Sequence, residues 1–217
     1  MSERLPFRLC LAAALALLAG CSGLHSKDAP LQTYVLSAGA AAAPATPATP
    51  ATPAATDRAL TLAVARPTAA SGLDNERIAV IRADGSLDAY RGSRWAGNLP
   101  DVLQTLLIDT LRPSGRYRAV LADSAAFGAD QLLQVEVRQF QAEYATGGGP
   151  PTAHVVFDAT LGWRGEREVV RTFHAESRAP AAADRMAAVV AAFNAAVADA
   201  LSQVRSQAGV VDRSPQR

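Results

Sequence analysis

The chain has 217 residues and a formal net charge of +1, a size that suits one domain plus export and linker segments. Near-neutrality excludes nucleic-acid binding driven by bulk electrostatics, because phosphate contact needs a net basic surface. The two cysteines, Cys10 and Cys21, both lie near the N-terminus, so the body of the chain has no thiol for disulfide, redox or cysteine-nucleophile chemistry.

The first 20 residues read as a secretory signal peptide. Arg4 and Arg8 supply a positive start, Leu9 to Gly20 is an apolar run too short to span a bilayer stably, and small residues precede Cys21. Leu18-Ala19-Gly20-Cys21 resembles the lipobox of bacterial lipoproteins. That resemblance implies lipidation of the Cys21 sulfur, cleavage before it, and acylation of the new amine with a fatty acid such as palmitate. Two or more acyl chains hold a protein at a membrane firmly, whereas one does so only marginally. Ser22 stands where an Asp would signal inner-membrane retention, so the pattern resembles that of outer-membrane lipoproteins facing the periplasm. Cleavage removes two basic residues and one acidic one, which leaves the mature chain uncharged overall.

Residues 21–30 form a lipidated polar tether, and Leu31 to Ser37 alternates well enough for a short strand. Residues 38–57 are almost entirely Ala, Pro and Thr, with Ala-Thr-Pro recurring at 45–47, 48–50 and 51–53. Such a stretch cannot bury a core and is expected to be a disordered insertion between the first two strands. Leu60 to Ala65 reads as a buried strand stopped at Pro67. Ile78 to Arg82 and Leu87 to Arg91 flank an Asp84-Gly85 turn and form a hairpin.

A helix follows, with Asn98 as N-cap, Pro100 and Asp101 in its first turn, and Leu99, Val102, Leu103, Leu106, Leu107 and Leu111 at helical spacing. Pro113 and Gly115 end it. After a strand over Tyr117 to Leu121 come three longer ones. The first alternates Leu133, Val135 and Val137 with Gln134, Glu136 and Arg138, leaving one face wet. The second carries Val155, Phe157, Ala159, Leu161 and Trp163 on one face. Val169 and Phe173 are expected to share a face of the third.

The last element is a helix from about Ala181 to Arg205, with an apolar stripe of Met186, Val189, Val190, Phe193, Val197, Leu201 and Val204. Asp184, Arg185, Asn194, Asp199 and Gln203 are expected on its opposite face, and residues 208–217 form a frayed tail. Together these elements give an α+β domain over residues 31–207: an antiparallel or mixed β-sheet with two amphipathic helices packed on one face.

No reaction centre emerges. His154 and His174 fall on neighbouring strands as exposed residues, without partners at metal-ligand spacing, so neither a metal nor another cofactor is expected beyond the covalent lipid. Gly147 to Gly149 lacks the Lys-Ser/Thr of a phosphate loop, and no Gly-x-Ser-x-Gly elbow is present. Tyr90-Arg91-Gly92-Ser93-Arg94-Trp95 concentrates aromatics and arginines, the residues that dominate interface hot spots, in an aromatic-poor chain. Tyr90, Arg94 and Trp95 are therefore a candidate partner interface, unless Trp95 simply packs over the helix start.

The order of lipobox, Tyr-Val-Leu strand, linker, apolar strand pair and Arg94-Trp95-Ala96-Gly97-Asn98-Leu99-Pro100 leading into a Leu-rich helix resembles the ABC-type transport auxiliary lipoproteins, the PqiC-like family. Leu132 to Phe140, Val155 to Trp163, Arg171-Thr172-Phe173 and Phe193-Asn194-Ala195-Ala196 continue the likeness over nearly the whole mature chain. The resemblance implies a non-enzymatic lipoprotein that works with an MCE-domain protein, an ABC permease and an ATPase to move phospholipid or other hydrophobic molecules between the inner and outer membranes. It also implies a docking role at the outer membrane and ring-like homo-oligomers. The alternative reading is a lipoprotein regulator of an envelope enzyme such as a peptidoglycan synthase.

Overall fold

A computed structural model of the chain describes residues 30–39 and 60–209. The signal peptide, Cys21 with its lipobox, the bulk of the Ala/Pro/Thr insertion and the tail beyond Gly209 lie outside these residues. The described residues from Leu31 onward belong to one compact unit.

The strands are β1 (Gln32–Tyr34), β2 (Thr61–Val64), β3 (Thr68–Ala69), β4 (Arg77–Ile81), β5 (Leu87–Trp95), β6 (Ala119–Ala122), β7 (Gln131–Glu143), β8 (Thr152–Trp163) and β9 (Glu168–Pro180). The helices are α1 (Leu99–Leu111), closed by a 3₁₀ turn at Arg112–Ser114, and α2 (Met186–Gln207). This is the expected α+β class, and the sheet is mixed. β7 organises it. One edge of β7 pairs antiparallel with β8, which pairs antiparallel with β9. Its other edge is shared end to end by β2, β3 and β4, all parallel to it. Beyond β7 the sheet therefore forks: β2 continues to β6, and β4 continues through β5 to β1.

A β-bulge explains how a 13-residue strand serves both branches. Between Val137 and Gln139 the β7–β8 register shifts, leaving Arg138 unpaired. Before it Leu133, Val135 and Val137 face the core; after it Phe140 and Ala142 do. The extra residue inverts the alternation and bends the strand, as bulges do.

A second bulge changes an expectation. Gly162 pairs with Val169 while Leu161 pairs with Arg171. Val169 consequently leaves the face of Phe173 and is 59% exposed, while Phe173 packs against the core. Gly162 is the residue that permits this approach, because a Cβ there would lie 2.5 Å from the Glu168 carbonyl oxygen.

Both helices pack on one face of the sheet. α1 buries Leu99, Pro100, Leu103, Leu107 and Leu111, and α2 buries its Val/Ala/Phe stripe. Trp95 at the end of β5, Phe140 of β7 and Phe193 of α2 meet at the centre, with Phe193 5.2 Å from each of the other two rings. α2 is long and apolar enough to cross a membrane by composition alone, but here it is a core helix lying against β8 and β9.

The polar face of α2 is less solvent-directed than its spacing suggests. Gln203 holds both backbone groups of Glu176, accepting from its N–H at 3.2 Å and donating to its carbonyl at 2.8 Å. Gln207 donates to the His174 carbonyl at 3.2 Å. These amides occupy part of the open edge of β9, which would otherwise offer unpaired backbone groups to another strand. Helix α2 begins five residues later than expected, because Ala181 still bonds back to the Pro151 carbonyl and residues 182–185 form a bend before the helix starts at Met186.

Candidate functional site

The Tyr90–Trp95 segment is the second half of β5, where side chains alternate between the two faces of the sheet. Trp95 points inward, is 1% exposed and sits edge-on to Phe140 and Phe193. Of the two readings open for it, the core one holds: a partner cannot reach its indole without unpacking the domain. Tyr90 is half-buried, its hydroxyl 3.3 Å from that of Tyr144, which donates to Asp184 ahead of α2. Burial and then the Tyr144 contact push the Tyr90 hydroxyl well above its ordinary pKa, so it stays protonated. Arg94 is exposed, donating to Glu76 at 3.0 Å and to Thr33 at 3.3 Å. The candidate interface therefore reduces on its accessible side to Arg94, with Arg91 and the rim of Tyr90.

The sheet face opposite the helices carries a cluster that strand alternation alone did not reveal. His154 is 3% exposed, not the exposed strand residue expected. It lies on β8 with a strand on each side, and long neighbouring side chains cover it. Its Nδ1 is 2.7 Å from Glu143 Oε1 on β7, and its Nε2 is 2.9 Å from Glu176 Oε1 on β9. Arg178 reaches both carboxylates, at 3.0 and 3.2 Å.

Burial opposes ionisation of Glu143, but His154, Gln141 and Arg178 outweigh it and hold the carboxyl below its ordinary value. Glu176 is lowered mainly by His154 and then by Arg178. His174, on the outermost strand, is raised by its 2.7 Å contact with Asp158. Both ring nitrogens of His154 are engaged by different carboxylates, and no group of His, Cys, Asp and Glu suited to holding a metal ion occurs among the described residues. The arrangement chemically resembles a cross-strand clasp tying β7, β8 and β9 together. The Gly147–Pro151 hairpin and the residue-by-residue pairing it sets were the available signal for it: Glu143 pairs with Thr152, and Gln141 with His154.

On the opposite side, an open cleft of 730 Å³ runs between α1 and α2, bounded by Leu106, Asp109, Thr110 and Pro113 on one wall and Asn194, Ala195, Ala198, Ser202 and Arg205 on the other. It exists because α2 presents alanines where larger side chains would fill the gap. Asn194, expected on the free face of the helix, accepts the Ser37 N–H at 3.0 Å and pins the segment after β1 to one end of the cleft.

Sheet and helix pair define the class: an α+β domain without a recognisable reaction centre among the described residues. The sequence model of a family described as "ABC-type transport auxiliary lipoprotein component" matches residues 42–205. The chain belongs to this family, the PqiC-like auxiliary lipoproteins, which are membrane-anchored envelope proteins and not a known enzyme family. Among solved structures it is similar to protein XCC0632 of Xanthomonas campestris, at 27% identity over 81% of this chain and 94% of that one, with a TM-score of 0.65. It is also similar in fold to an uncharacterized protein at 19% identity, covering 68% and 91% of the two chains, with a TM-score of 0.55. PelC of Paraburkholderia phytofirmans, whose structure is a dodecamer, is more distant, at 16% identity over 67% and 87% of the chains and a TM-score of 0.39, too low for any argument about assembly. No curated protein sequence matches the chain.

Proposed function

We propose that the protein is the lipid-anchored auxiliary component of an MCE-type ABC transport system that moves phospholipid or other hydrophobic molecules between the inner and outer membranes. It acts as a docking module, not a catalyst. The observation that carries this reading is the family match over residues 42–205, downstream of Leu18-Ala19-Gly20-Cys21. Acyl chains on Cys21 hold it to the periplasmic face of the outer membrane, and Ser22 rather than an Asp supports that leaflet. The partners are the MCE-domain protein with its permease and ATPase, and a ring of identical chains is the assembly that would meet a tubular partner.

The experiment is affinity isolation of the full-length, tagged protein from detergent-solubilised envelopes. Co-isolation of an MCE-domain protein, permease and ATPase is expected. Isolation of a peptidoglycan synthase without any of these would overturn the proposal in favour of enzyme regulation. A Cys21→Ser variant is expected to move from the outer-membrane to the soluble fraction.

A further inference from the structure

We propose that the α1–α2 cleft binds a single-chain anionic amphiphile of the lysophospholipid type, with its tail in the trough and its phosphate at Arg205. The 730 Å³ volume is that of a small-molecule site. The walls sort by chemistry along the cleft. Leu106, Pro113, Ala195 and Ala198 give it an apolar bed with no bulky side chain in the way. Toward the end of α2 the cleft meets a second hollow of 370 Å³, with which it shares Ser202 and Arg205 and to which Ser114, Arg116 and Ser206 belong. The bed is thus mainly apolar, with the Ser37–Asn194 hydrogen bond at one end and the hydroxylated, cationic group at the other, while Asp109 and Thr110 lie on the α1 wall.

The charge balance selects an anion over a cation. Arg205 has no carboxylate partner among the described residues, and Asp109, the one carboxylate among the residues bounding the two hollows, faces Arg112 at 3.4 Å. A helix C-terminus ordinarily repels anions through its unsatisfied carbonyls. Here Arg116 donates to the carbonyls of Arg205 at 2.8 Å and Ser206 at 3.2 Å, which cancels that penalty where the phosphate would sit. A guanidinium matches phosphate geometry with paired donors. Ser37, Ala38 and Gly39 bound the far end of the trough, and its 730 Å³ has room for one acyl chain with its headgroup rather than two.

This inference is independent of docking to an MCE protein, because its test contains no transporter component. The full chain carrying Cys21→Ser, which removes its own lipid as a competitor, is titrated with palmitoyl lysophosphatidylglycerol below the concentration at which it forms micelles. Binding is followed by calorimetry and native mass spectrometry. One molecule per chain is expected, with no binding of glycerol phosphate and about tenfold weaker binding of uncharged monopalmitoylglycerol. Ala198→Trp, which fills the trough, is expected to abolish binding, and Arg205→Ala to weaken the charged probe but not the uncharged one. Leu106→Glu substitutes for Ala198→Trp should that variant lose its circular dichroism spectrum.

Equal binding of charged and uncharged probes, unchanged binding by the trough-filling variants, or no binding by the parent would each overturn the proposal. So would sedimentation showing that Ala198→Trp dissociates a dimer, since the cleft would then be occupied by a second copy.

Discussion

Replacing Phe193 by Ala tests the claim that the Trp95–Phe140–Phe193 cluster is the joint between the helix layer and the fork of the sheet. Phe193 is fully buried, stacked on Phe140 at an interplanar angle of 18° and edge-on to Trp95 at 86°. Deleting a buried Phe side chain costs about 3–5 kcal/mol, the lost transfer energy plus a cavity that neighbours refill only partly. Domains of this size have roughly 5–15 kcal/mol in total, and each kcal/mol lowers Tm by about 2–4 °C, so a fall of roughly 6–20 °C is expected. Phe193→Leu keeps most of the volume and loses the ring geometry, so it should cost much less than Phe193→Ala. A double-mutant cycle between Trp95→Leu and Phe193→Leu should show a coupling of about 0.5–1.5 kcal/mol beyond area burial. Urea denaturation of the parent and the four variants gives the free energies, and thermal melts give the shift in Tm. A loss below about 1 kcal/mol for Phe193→Ala, or additive single variants, would refute the view that these three rings form one packed unit.

Arg94→Ala separates binding from folding. Its ion pair with Glu76 is about half exposed on both sides, so stability should fall by at most about 1 kcal/mol; a loss of partner in affinity isolation would assign Arg94 to the interface, and undiminished capture would remove it. Gly162→Ala should destabilise by about 1–3 kcal/mol, because the new Cβ collides with backbone rather than with a yielding side chain; a neutral result in thermal melts would show that the bulge is not as tightly held as described. Gln203→Ala should speed amide exchange at Glu176 and promote self-association by uncovering the β9 edge, and unchanged exchange would contradict the edge-protection role. For pH, the lowered Glu143 and Glu176 stabilise the fold above the ordinary carboxylate range and lose that contribution as pH falls through and below about 4.3, while the raised His174 stabilises it below about 6.5 and loses that contribution as pH rises through its shifted value. Stability by urea titration should therefore be greatest between roughly those limits, and His174→Gln should flatten the alkaline limb alone; an unchanged limb would place the alkaline loss elsewhere.

Much of this was legible in the residue pattern. The Leu spacing of α1, the Val/Phe/Ala stripe of α2 and the Asp84-Gly85 hairpin each have local causes, and the structure places them where those causes point. The two bulges were not legible, because a phase inversion such as Val137 to Phe140 looks in sequence like a weakened alternation. β3 escaped for a related reason: Thr68–Ala69 is a strand only because the branch it joins runs past the middle of β7. Trp95 shows the limit of composition. Aromatic and arginine enrichment marks interfaces and cores alike, and only the parity of β5 decides that Trp95 turns inward while Arg94 turns out. His154 needed three strands in register before its partners could be named.

The forked sheet links these observations. Had β7 been a regular strand, its apolar face would have stayed on one side over all 13 residues, but the neighbours supplied by β2 and β4 would have had to continue one another in line. The bulge at Arg138 lets β7 change its twist between those two neighbours, which places Phe140 under Phe193 and Trp95 while Glu143 reaches His154 on the opposite face. Helix α2 is thus fixed along its stripe by the aromatic joint and at the β9 edge by Gln203 and Gln207, while its wall of the cleft toward α1 includes the small side chains of Ala195 and Ala198. A cleft opens between two well-anchored helices for that reason, and filling it with Ala198→Trp should leave the fold intact because neither anchor is touched.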